Sequence, residues 1–287
     1  MAALLYLVPT PIGNLSDISD RCRQTLAEAD FIAAEDTRVT RKLLNHLQLH
    51  KPLVSYHEHN KAASGPEVIA RIAQGQTCAL VTDAGSPAIS DPGEDLVRLA
   101  AQAQIPVCAI PGPCAAITAL SISALPTGRF AFEGFLPAQK KQRQARLDQL
   151  RTEPRTMIFY EAPHRLLATL EQLLACFGPD RPISLCRELT KLHEEVLRFD
   201  LASALAYFQE NAPRGEFVLV IGGAPEARQD APDLAAGAAL VRQLMASGLS
   251  RKEAARLAAA QTGLAKNQLY DASMAEPDGP AAPAGSK

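Results

Sequence analysis

The sequence lacks any long hydrophobic run, although 47% of its 287 residues are hydrophobic. A membrane-spanning helix needs roughly 20 consecutive apolar residues, so we predict no membrane span. The apolar start at Met1–Val8 has neither the basic residues nor the small-residue cleavage site of a signal peptide. We therefore predict a cytoplasmic protein that is long enough for two compact domains.

Several sequence motifs are also missing. The six cysteines form no C-x-x-C pair, so we interpret them as small core residues rather than disulfides or zinc ligands. No G-x-G-x-x-G follows the first predicted strand, and no G-x-x-x-x-G-K-[ST] occurs anywhere. These absences argue against a Rossmann dinucleotide site and a Walker phosphate site. A net charge of −2 argues neither for nor against a polyanionic partner, because only local clusters of charge would matter.

Short apolar runs alternate with segments of helical periodicity, which indicates an α/β protein. The first series predicts a mostly parallel sheet with helices on both faces; its strands are Leu4–Val8, Phe31–Ala34, Leu53–Tyr56, Cys78–Thr82 and Val107–Ile110, with helices such as Ser16–Ala29 and Glu94–Ala103 between them. In the second series a short polar link joins the third and fourth strands, which predicts an antiparallel pair and a mixed sheet. The second series comprises Phe130–Phe135, Thr156–Tyr160, Ile183–Arg187, Glu195–Phe199 and Phe217–Ile221.

These series predict two α/β domains with a cleft between them, at residues 1–120 and 121–224. A Pro-, Gly- and Ala-rich linker and a small helical module follow at 225–275, with helices at Leu234–Met245 and Arg251–Gln261. The last segment, 276–287, has the composition of a disordered tail.

Three loops rich in proline and glycine follow strands of the first series. Their sequences are "VPTPIGNLSD", "VTDAGSPAISDPG" and "IPGPCAA". Ligands of open α/β sheets bind at the carboxyl ends of the strands, where such loops offer main-chain groups and close approach. Their recurrence favours a binding pocket over ordinary turns, and the missing phosphate motifs favour an adenosine-like ligand with a short zwitterionic tail.

Seven segments resemble the ribosomal RNA small subunit methyltransferase I family of the tetrapyrrole-methylase superfamily. They are "LYLVPTPIGNLSDIS", "AAEDTRVTRKLL", "VSYHEHN", "LVTDAGSPAISDPG", "IPGPCAAITALSISALPTGRFAFEGFLP", "IFYEAPHR" and "RGEFVLVIGG". The resemblance implies a class III methyltransferase fold with an interdomain cleft and a C-terminal helical module. It also implies S-adenosylmethionine as methyl donor, 2′-O-methylation of a cytidine in the decoding region of 16S rRNA, and a homodimer.

The resemblance assigns the donor site to the three loops. The implied donor-binding residues are Pro9, Thr10, Pro11, Gly13, Asn14, Asp83, Ala84, Gly85, Ser86, Pro87, Pro111, Gly112 and Pro113, with a contribution from "EAPHR" and "GEF". Asp83 is the carboxylate best suited to a sulfonium or an amino group, unless it only caps its loop. Residues 157–165 frame the adenine, unless Glu161, His164 and Arg165 bridge the domains instead.

A ribose hydroxyl needs a base to accept its proton during methyl transfer. The candidates are Glu35 and Asp36 in "AAEDTR" and His57 and Glu58 in "SYHEHN". The "HEHNK" segment lacks the H-E-x-x-H spacing of a zinc site and offers no third ligand, so we predict no metal.

Basic clusters offer a surface for 16S rRNA, which we expect to be bound within the 30S subunit. The predicted RNA-binding residues are Arg38, Arg41, Lys42, Lys140, Lys141, Arg143, Arg146, Arg251 and Lys252. Such runs are also typical of solvated helix faces. Because few aromatic residues interleave with them, recognition of RNA shape fits better than stacking on single-stranded bases.

Two alternatives to an rRNA methyltransferase stay open. One is an S-adenosylmethionine-dependent enzyme that acts on a tetrapyrrole or another small molecule, for which the basic clusters would have no use. The other is a non-catalytic ribosome-assembly protein, which would bind the donor without turnover.

Overall fold

The computed structural model describes residues 3–225 and 233–274. The chain divides into two compact units, Met1–Ala224 and Pro225–Lys287. The predicted disordered tail at 276–287 and most of the predicted linker, residues 226–232, lie outside the described residues.

The first unit begins with a five-stranded sheet of order β3-β2-β4-β1-β5, in which every pairing is parallel. Its strands are β1 (Leu5–Leu7), β2 (Phe31–Ala34), β3 (Leu53–Ser55), β4 (Cys78–Val81) and β5 (Val107–Ala109). The associated helices are α1 (Asp20–Glu28), α2 (Thr37–His46), α3 (Lys61–Ala73), α4 (Glu94–Gln102) and α5 (Ala115–Ile122). Helices α1 and α2 pack on one face and α3 and α4 on the other, which confirms the predicted layers.

One predicted helix starts later than expected. Residues Leu15–Asp17 form a 3₁₀ turn, and α1 begins only at Asp20. The Ser19 side chain accepts a hydrogen bond from the Cys22 amide at 3.1 Å. Ser19 thereby satisfies one of the free amides of the first turn and fixes the start of the helix.

A second five-stranded sheet follows in the order β6-β7-β10-β8-β9. Its strands are β6 (Phe130–Phe135), β7 (Thr156–Glu161), β8 (Pro182–Arg187), β9 (Glu195–Asp200) and β10 (Phe217–Ile221). Strands β6 and β7 are parallel and the other pairs are antiparallel, so the predicted mixed sheet and the antiparallel β8–β9 pair are confirmed.

Helices cover both faces of this second sheet. One face packs with α6 (Lys140–Leu150), α7 (Leu166–Phe177) and α8 (Leu201–Glu210) around a large apolar core. Helix α5 covers the other face, where Ala116, Ala119 and Leu120 pack with residues of β7, β8 and β10. Helix α5 follows directly from β5 and its loop, so it joins the edge of the first sheet to the second sheet.

The second unit contains three helices, α9 (Leu234–Ala246), α10 (Arg251–Thr262) and α11 (Lys266–Ala272). Their small core contains Val241, Leu269 and the alanines of α10. Ser250 and Glu253 form a capping box at the start of α10. Both helices predicted for this module are present.

All six cysteines are free, and Cys22, Cys78, Cys176 and Cys186 are buried. These four match the interpretation as core residues, whereas Cys108 and Cys114 are half-buried. Across residues 3–225 and 233–274, no helix has the length and apolar character needed to cross a membrane.

Candidate active site

The loops after β1, β4 and β5 meet at the carboxyl edge of the first sheet, because these strands are neighbours in it. Thr10 and Gly85 exchange two backbone hydrogen bonds with N···O distances of 2.9 and 3.0 Å. The Ser86 hydroxyl donates to the Pro113 carbonyl oxygen at 2.9 Å. Gly85 has a φ of +85°, a backbone conformation that residues other than glycine rarely adopt. The three loops therefore form one connected rim.

Two further glycines allow backbone segments to approach closely at this rim. A Cβ atom on Gly112 would lie 2.5 Å from Pro9 Cγ, and one on Gly13 would lie 2.5 Å from Lys191 Cγ. Lys191 belongs to the segment between β8 and β9 of the second sheet. Glycine at these positions thus holds the first loop against the third loop and against the second sheet.

A cavity of about 520 Å³ lies between this rim and the second sheet. Its volume falls within the range of ~300–1,000 Å³ typical of small-molecule sites. From the first sheet and its loops it takes Ile12, Glu35, Asp83, Ala84, Gly85, Ser86, Ile89, Asp91, Cys114 and Ala115. From the second sheet it takes Phe135, Tyr160, Glu161, Ala162, Pro163, Cys186, Leu189, Glu216, Phe217 and Val218.

Three carboxyl groups lie on the first-sheet side of this cavity, which is the larger of two cavities described here for the first unit. Glu35 accepts a hydrogen bond from the Asp83 amide at 3.3 Å, and Asp83 Oδ1 accepts one from the Asp36 amide at 3.1 Å. Burial raises the pKa of Glu35 and of Asp83. Burial, with a smaller effect from the charges of Glu35 and Asp83, raises the pKa of Asp91 to about 6. Clustered negative charge of this kind favours a cationic ligand.

Aromatic rings and backbone of the second sheet form the opposite wall. The Tyr160 ring packs edge-to-face against Phe132 and Phe135, with ring centroids 5.2 and 5.6 Å away. The Tyr160 hydroxyl accepts a hydrogen bond from the Ala116 amide at 3.2 Å, which ties β7 to α5. Burial raises the pKa of Tyr160 to about 12, so the phenol stays neutral and the wall stays largely apolar.

Glu161, at the end of β7, is a buried carboxylate that is held by its neighbours. Its Oε2 accepts a hydrogen bond from the Thr169 hydroxyl at 2.6 Å, and its Oε1 accepts one from the Ala162 amide at 2.9 Å. Arg165 Nε lies 3.3 Å from Oε1. Glu161 therefore fixes the turn from β7 into α7, next to the cavity.

A smaller cavity of about 250 Å³ lies on the other side of Asp83, entirely within the first α/β layer. Its lining residues are Thr10, Pro11, Leu15, Val39, Thr40, Lys42, Leu43, His46, Thr82 and Asp83. Among the described residues, Asp83 is the one that lines both cavities.

The residues predicted to bind the donor divide between the two cavities and their rim. The larger cavity takes Asp83, Ala84, Gly85 and Ser86 from this set. The smaller cavity takes Thr10 and Pro11, together with Asp83. The remaining members belong to the rim and its supports: Pro9, Gly13, Asn14, Pro87, Pro111, Gly112 and Pro113.

Of the four candidate bases, Glu35 lines the larger cavity. The Asp36 side chain instead caps α2 and pairs with Arg38 at 2.6 Å, and the hydrogen bonds from Arg38 lower the pKa of Asp36. Glu58 pairs with Lys61 at 2.8 Å. Neither His57 nor Glu58 is among the residues that line the two cavities.

The predicted RNA-binding residues differ in solvent exposure and in whether they form ion pairs. Arg41 and Lys42 on α2, Lys140 and Lys141 on α6 and Lys252 on α10 are exposed. Arg38 is exposed but pairs with Asp36. Arg146 pairs with Glu133 at 2.6 Å, and Arg143 and Arg251 are half-buried.

Sequence reasoning missed two parts of the larger cavity. Asp91 lies in the predicted loop "DAGSPAISDPG", but nothing in the sequence marks it as facing Glu35 and Asp83. Phe135 and Val218 have the spacing of ordinary strand residues and read as core, whereas Tyr160 lies within residues 157–165, which were predicted to frame the adenine. The signal that could have found Val218 was its position directly after "GEF".

The fold and the cavity place the chain in a known class of methyltransferase. Residues 4–205 match the family model described as Tetrapyrrole (Corrin/Porphyrin) Methylases, and residues 231–276 match that of the RsmI C-terminal HTH domain. The crystal structure of uroporphyrin-III C-methyltransferase from Thermus thermophilus complexed with S-adenosylhomocysteine has a similar fold, with a TM-score of 0.54 and 18% sequence identity. The similarity covers 76% of this chain and 97% of that chain.

Curated relatives identify the family within this class. A ribosomal RNA small subunit methyltransferase I from Synechocystis sp. is 51% identical over 94% of this chain and 97% of the relative. One from Escherichia coli O157:H7 is 46% identical over 93% of each chain. The chain belongs to the ribosomal RNA small subunit methyltransferase I family.

Proposed function

We propose that this protein transfers the methyl group of S-adenosylmethionine to the ribose 2′-hydroxyl of a cytidine in the decoding region of 16S rRNA. The observation that carries the proposal is the near full-length identity of 46–51% to rRNA methyltransferases, together with an acidic cavity at the edge where their fold binds ligands. Because the proposed acceptor is ribosomal RNA, we place the activity in the cytoplasm.

The larger cavity has the chemistry that the donor requires. When bound, S-adenosylmethionine supplies a methyl group on a sulfonium, which makes the carbon electrophilic. The carboxyl groups of Glu35, Asp83 and Asp91 provide the negative environment for that cation and for an amino group. The apolar wall around Tyr160 and Phe135 offers a surface for an adenine ring. The Thermus methyltransferase of the same fold holds S-adenosylhomocysteine, which supports this assignment.

Glu35 is the proposed proton acceptor. It is the one of the four candidate bases that lines the cavity, and burial raises its pKa, which makes it a stronger base. The reaction forms a bond between the ribose O2′ and the methyl carbon, breaks the bond from that carbon to sulfur, and passes the hydroxyl proton to Glu35. Alignment of the three reacting atoms supplies much of the acceleration.

The acceptor that we propose is 16S rRNA within the 30S subunit, bound through the exposed cations on α2, α6 and α10. We also propose a homodimer. Light scattering of the full chain tests the dimer: a mass of twice 30.7 kDa is expected, and a mass of 30.7 kDa would contradict it.

Methyl incorporation from labelled S-adenosylmethionine tests the function. The acceptors are unmodified 30S subunits, naked 16S rRNA and a tetrapyrrole precursor, assayed side by side, and any labelled ribose is mapped. A single labelled cytidine ribose in the subunit is the expected result. Label only on the tetrapyrrole would favour a small-molecule methyltransferase, and donor binding without label on any acceptor would favour a non-catalytic assembly protein.

Two sets of variants separate donor from acceptor binding. Asp83→Ala is expected to weaken donor binding measured by calorimetry. Combined Lys140→Glu and Lys141→Glu is expected to weaken binding to the subunit and to spare the donor. Arg23→Glu, a charge reversal at an exposed position of α1, is the matched control. Exchanged or absent losses would contradict the assignment.

A further inference from the structure

We infer that the smaller cavity binds the acceptor nucleotide of the RNA, and this inference rests on the proposed function. The cavity lies in the first α/β layer, between α2 and the loop after β1, with the end of β4 beneath it. Thr10, Pro11 and Asp83 of its lining were predicted to bind the donor, and Lys42 was predicted to bind RNA.

The position of the cavity is the first argument. Methyl transfer requires the acceptor oxygen and the methyl carbon to come within about 3–3.5 Å, so the acceptor must border the donor cavity. Asp83 lines both cavities and is their shared wall in the part of the chain that the structure describes. A ribose in the smaller cavity therefore lies next to the larger one.

The chemistry of the walls is the second argument. Val39, Lys42 and His46 are spaced by three and four residues on α2, so they share one face of the helix. Val39 is 37% exposed and Leu15, on the opposite wall, is 46% exposed. Two solvent-accessible apolar side chains flank a lysine and an imidazole, which suits a ligand with flat apolar faces and an anionic phosphate.

A buried hydroxyl is the third argument. Thr82, at the floor of the cavity, is 2% exposed. Its Oγ1 finds no hydrogen-bond partner among residues 3–225 and 233–274. Buried polar atoms in proteins are nearly always paired, so a polar ligand group that reaches Thr82 would satisfy this hydroxyl.

The size of the cavity selects the ligand. Its volume of about 250 Å³ is less than half that of the larger cavity. The volume also lies below the range of ~300–1,000 Å³ that is typical of pockets for drug-sized ligands. A single nucleotide unit, turned out of the RNA stack, fits these limits better than a complete donor molecule.

Kinetics on 30S subunits with Lys42→Ala and His46→Ala test the inference. Each variant is expected to raise the apparent KM for subunits by about tenfold, because a charge-assisted contact is lost. Lys42→Ala is also expected to reduce the slope of log KM against log salt by about one. The affinity for S-adenosylhomocysteine, measured by calorimetry, should stay unchanged. Arg23→Ala removes one exposed charge from α1 and is the control.

A blocking substitution gives a second test. Val39→Trp is expected to fill the cavity and to reduce methyl transfer at least tenfold while S-adenosylhomocysteine still binds. Val107→Trp is the matched control, because Val107 on β5 has the same 37% exposure and lines neither cavity. Circular dichroism checks that both variants fold. If Val39→Trp does not fold, Lys42→Ala and His46→Ala test the inference.

Thr82→Val separates a binding role from a structural one. A hydroxyl that supports the fold would cost stability when removed. The inference instead expects unchanged or greater stability of the free protein, since an unpaired buried hydroxyl is lost, with a KM for subunits raised several-fold. A less stable variant with normal KM would contradict it.

The outcomes distinguish this inference from the proposed function. If wild-type protein methylates the subunit but the α2 and Thr82 variants retain normal KM, the smaller cavity is not the acceptor site and the proposed function stands. If the same variants lose S-adenosylhomocysteine binding, the cavity belongs to the donor site and the inference is wrong. If wild-type protein methylates no RNA, both fail together.

Discussion

Asp91→Asn is expected to stabilise the free protein at neutral pH. Asp91 is half-buried and faces Glu35 and Asp83, so its ionised form lies in an unfavourable environment. Asparagine has nearly the same shape without the charge. In a site that binds a cationic ligand, ionised carboxyl groups are expected to destabilise the protein when that ligand is absent.

The magnitude follows from the pKa of Asp91. Burial, with the nearby carboxylates, raises that pKa from 3.8 to about 6. At about 1.36 kcal/mol for each pKa unit, the upper limit is about 3 kcal/mol. Because solvent reaches Asp91, screening reduces this value, and we expect a gain of about 1 kcal/mol in the free energy of unfolding.

The sign of the pH dependence is fixed by the direction of the shift. The folded state holds the Asp91 proton more tightly than the unfolded state, so ionisation costs stability as pH rises from about 4 to about 6. Below about pH 4 the carboxyl is protonated in both states, and the variant and wild type should be equally stable at this position. Above about pH 6 the gain is complete and constant.

Urea unfolding of the full chain between pH 4 and 8, without donor, measures this difference. Calorimetry provides a second readout: Asp91→Asn should weaken S-adenosylmethionine, which carries a sulfonium, more than S-adenosylhomocysteine, which does not. A gain in stability that is independent of pH, a loss at pH 8, or equal effects on the two ligands would refute the reasoning.

Two other substitutions examine the supports of the larger cavity. Thr169→Val removes the donor to buried Glu161 and is expected to cost about 1–3 kcal/mol in urea unfolding and to weaken S-adenosylhomocysteine binding. Gly112→Ala would force a methyl group against Pro9 and is expected to cost about 1–3 kcal/mol by overpacking and to weaken the same ligand. Gly128→Ala, where a Cβ meets no atom within 4 Å, should leave unfolding and binding nearly unchanged.

The layers of the fold could be predicted because each strand carries its own local signal. Strands β4 and β10 are continuous apolar runs, as expected for strands that are buried on both faces. The short polar link between β8 and β9 allows only an antiparallel return. The helices predicted at Glu94, Leu234 and Arg251 begin at those residues. The start of α1 was wrong, because α1 begins at the Ser19 cap and the residues before it keep a helical pattern without forming the helix.

The site was predictable on the side where loops carry special residues. The proline and glycine of "DAGSPAISDPG" mark a loop that cannot be ordinary strand or helix, and Asp83–Ser86 do line the larger cavity. The side formed by the second sheet carries no such local signal. Residues 157–165 were assigned to the donor only through the family resemblance, and Phe135 becomes part of a cavity wall only when two sheets face each other. Asp91 was missed for the same reason, because its pKa depends on burial and on carboxyl groups distant in sequence.

The distribution of charge around Asp83 agrees with the different ligands that we propose for the two cavities. Glu35 and Asp91 lie on the side of the larger cavity, whereas Lys42 and His46 lie on the side of the smaller one. The methyl donor is cationic at the sulfonium and the RNA acceptor is anionic at its phosphates, so each ligand is attracted to one side and disfavoured on the other. Because Asp83 lines both cavities, the two proposed ligands would meet beside it, as the close approach of the reacting atoms requires.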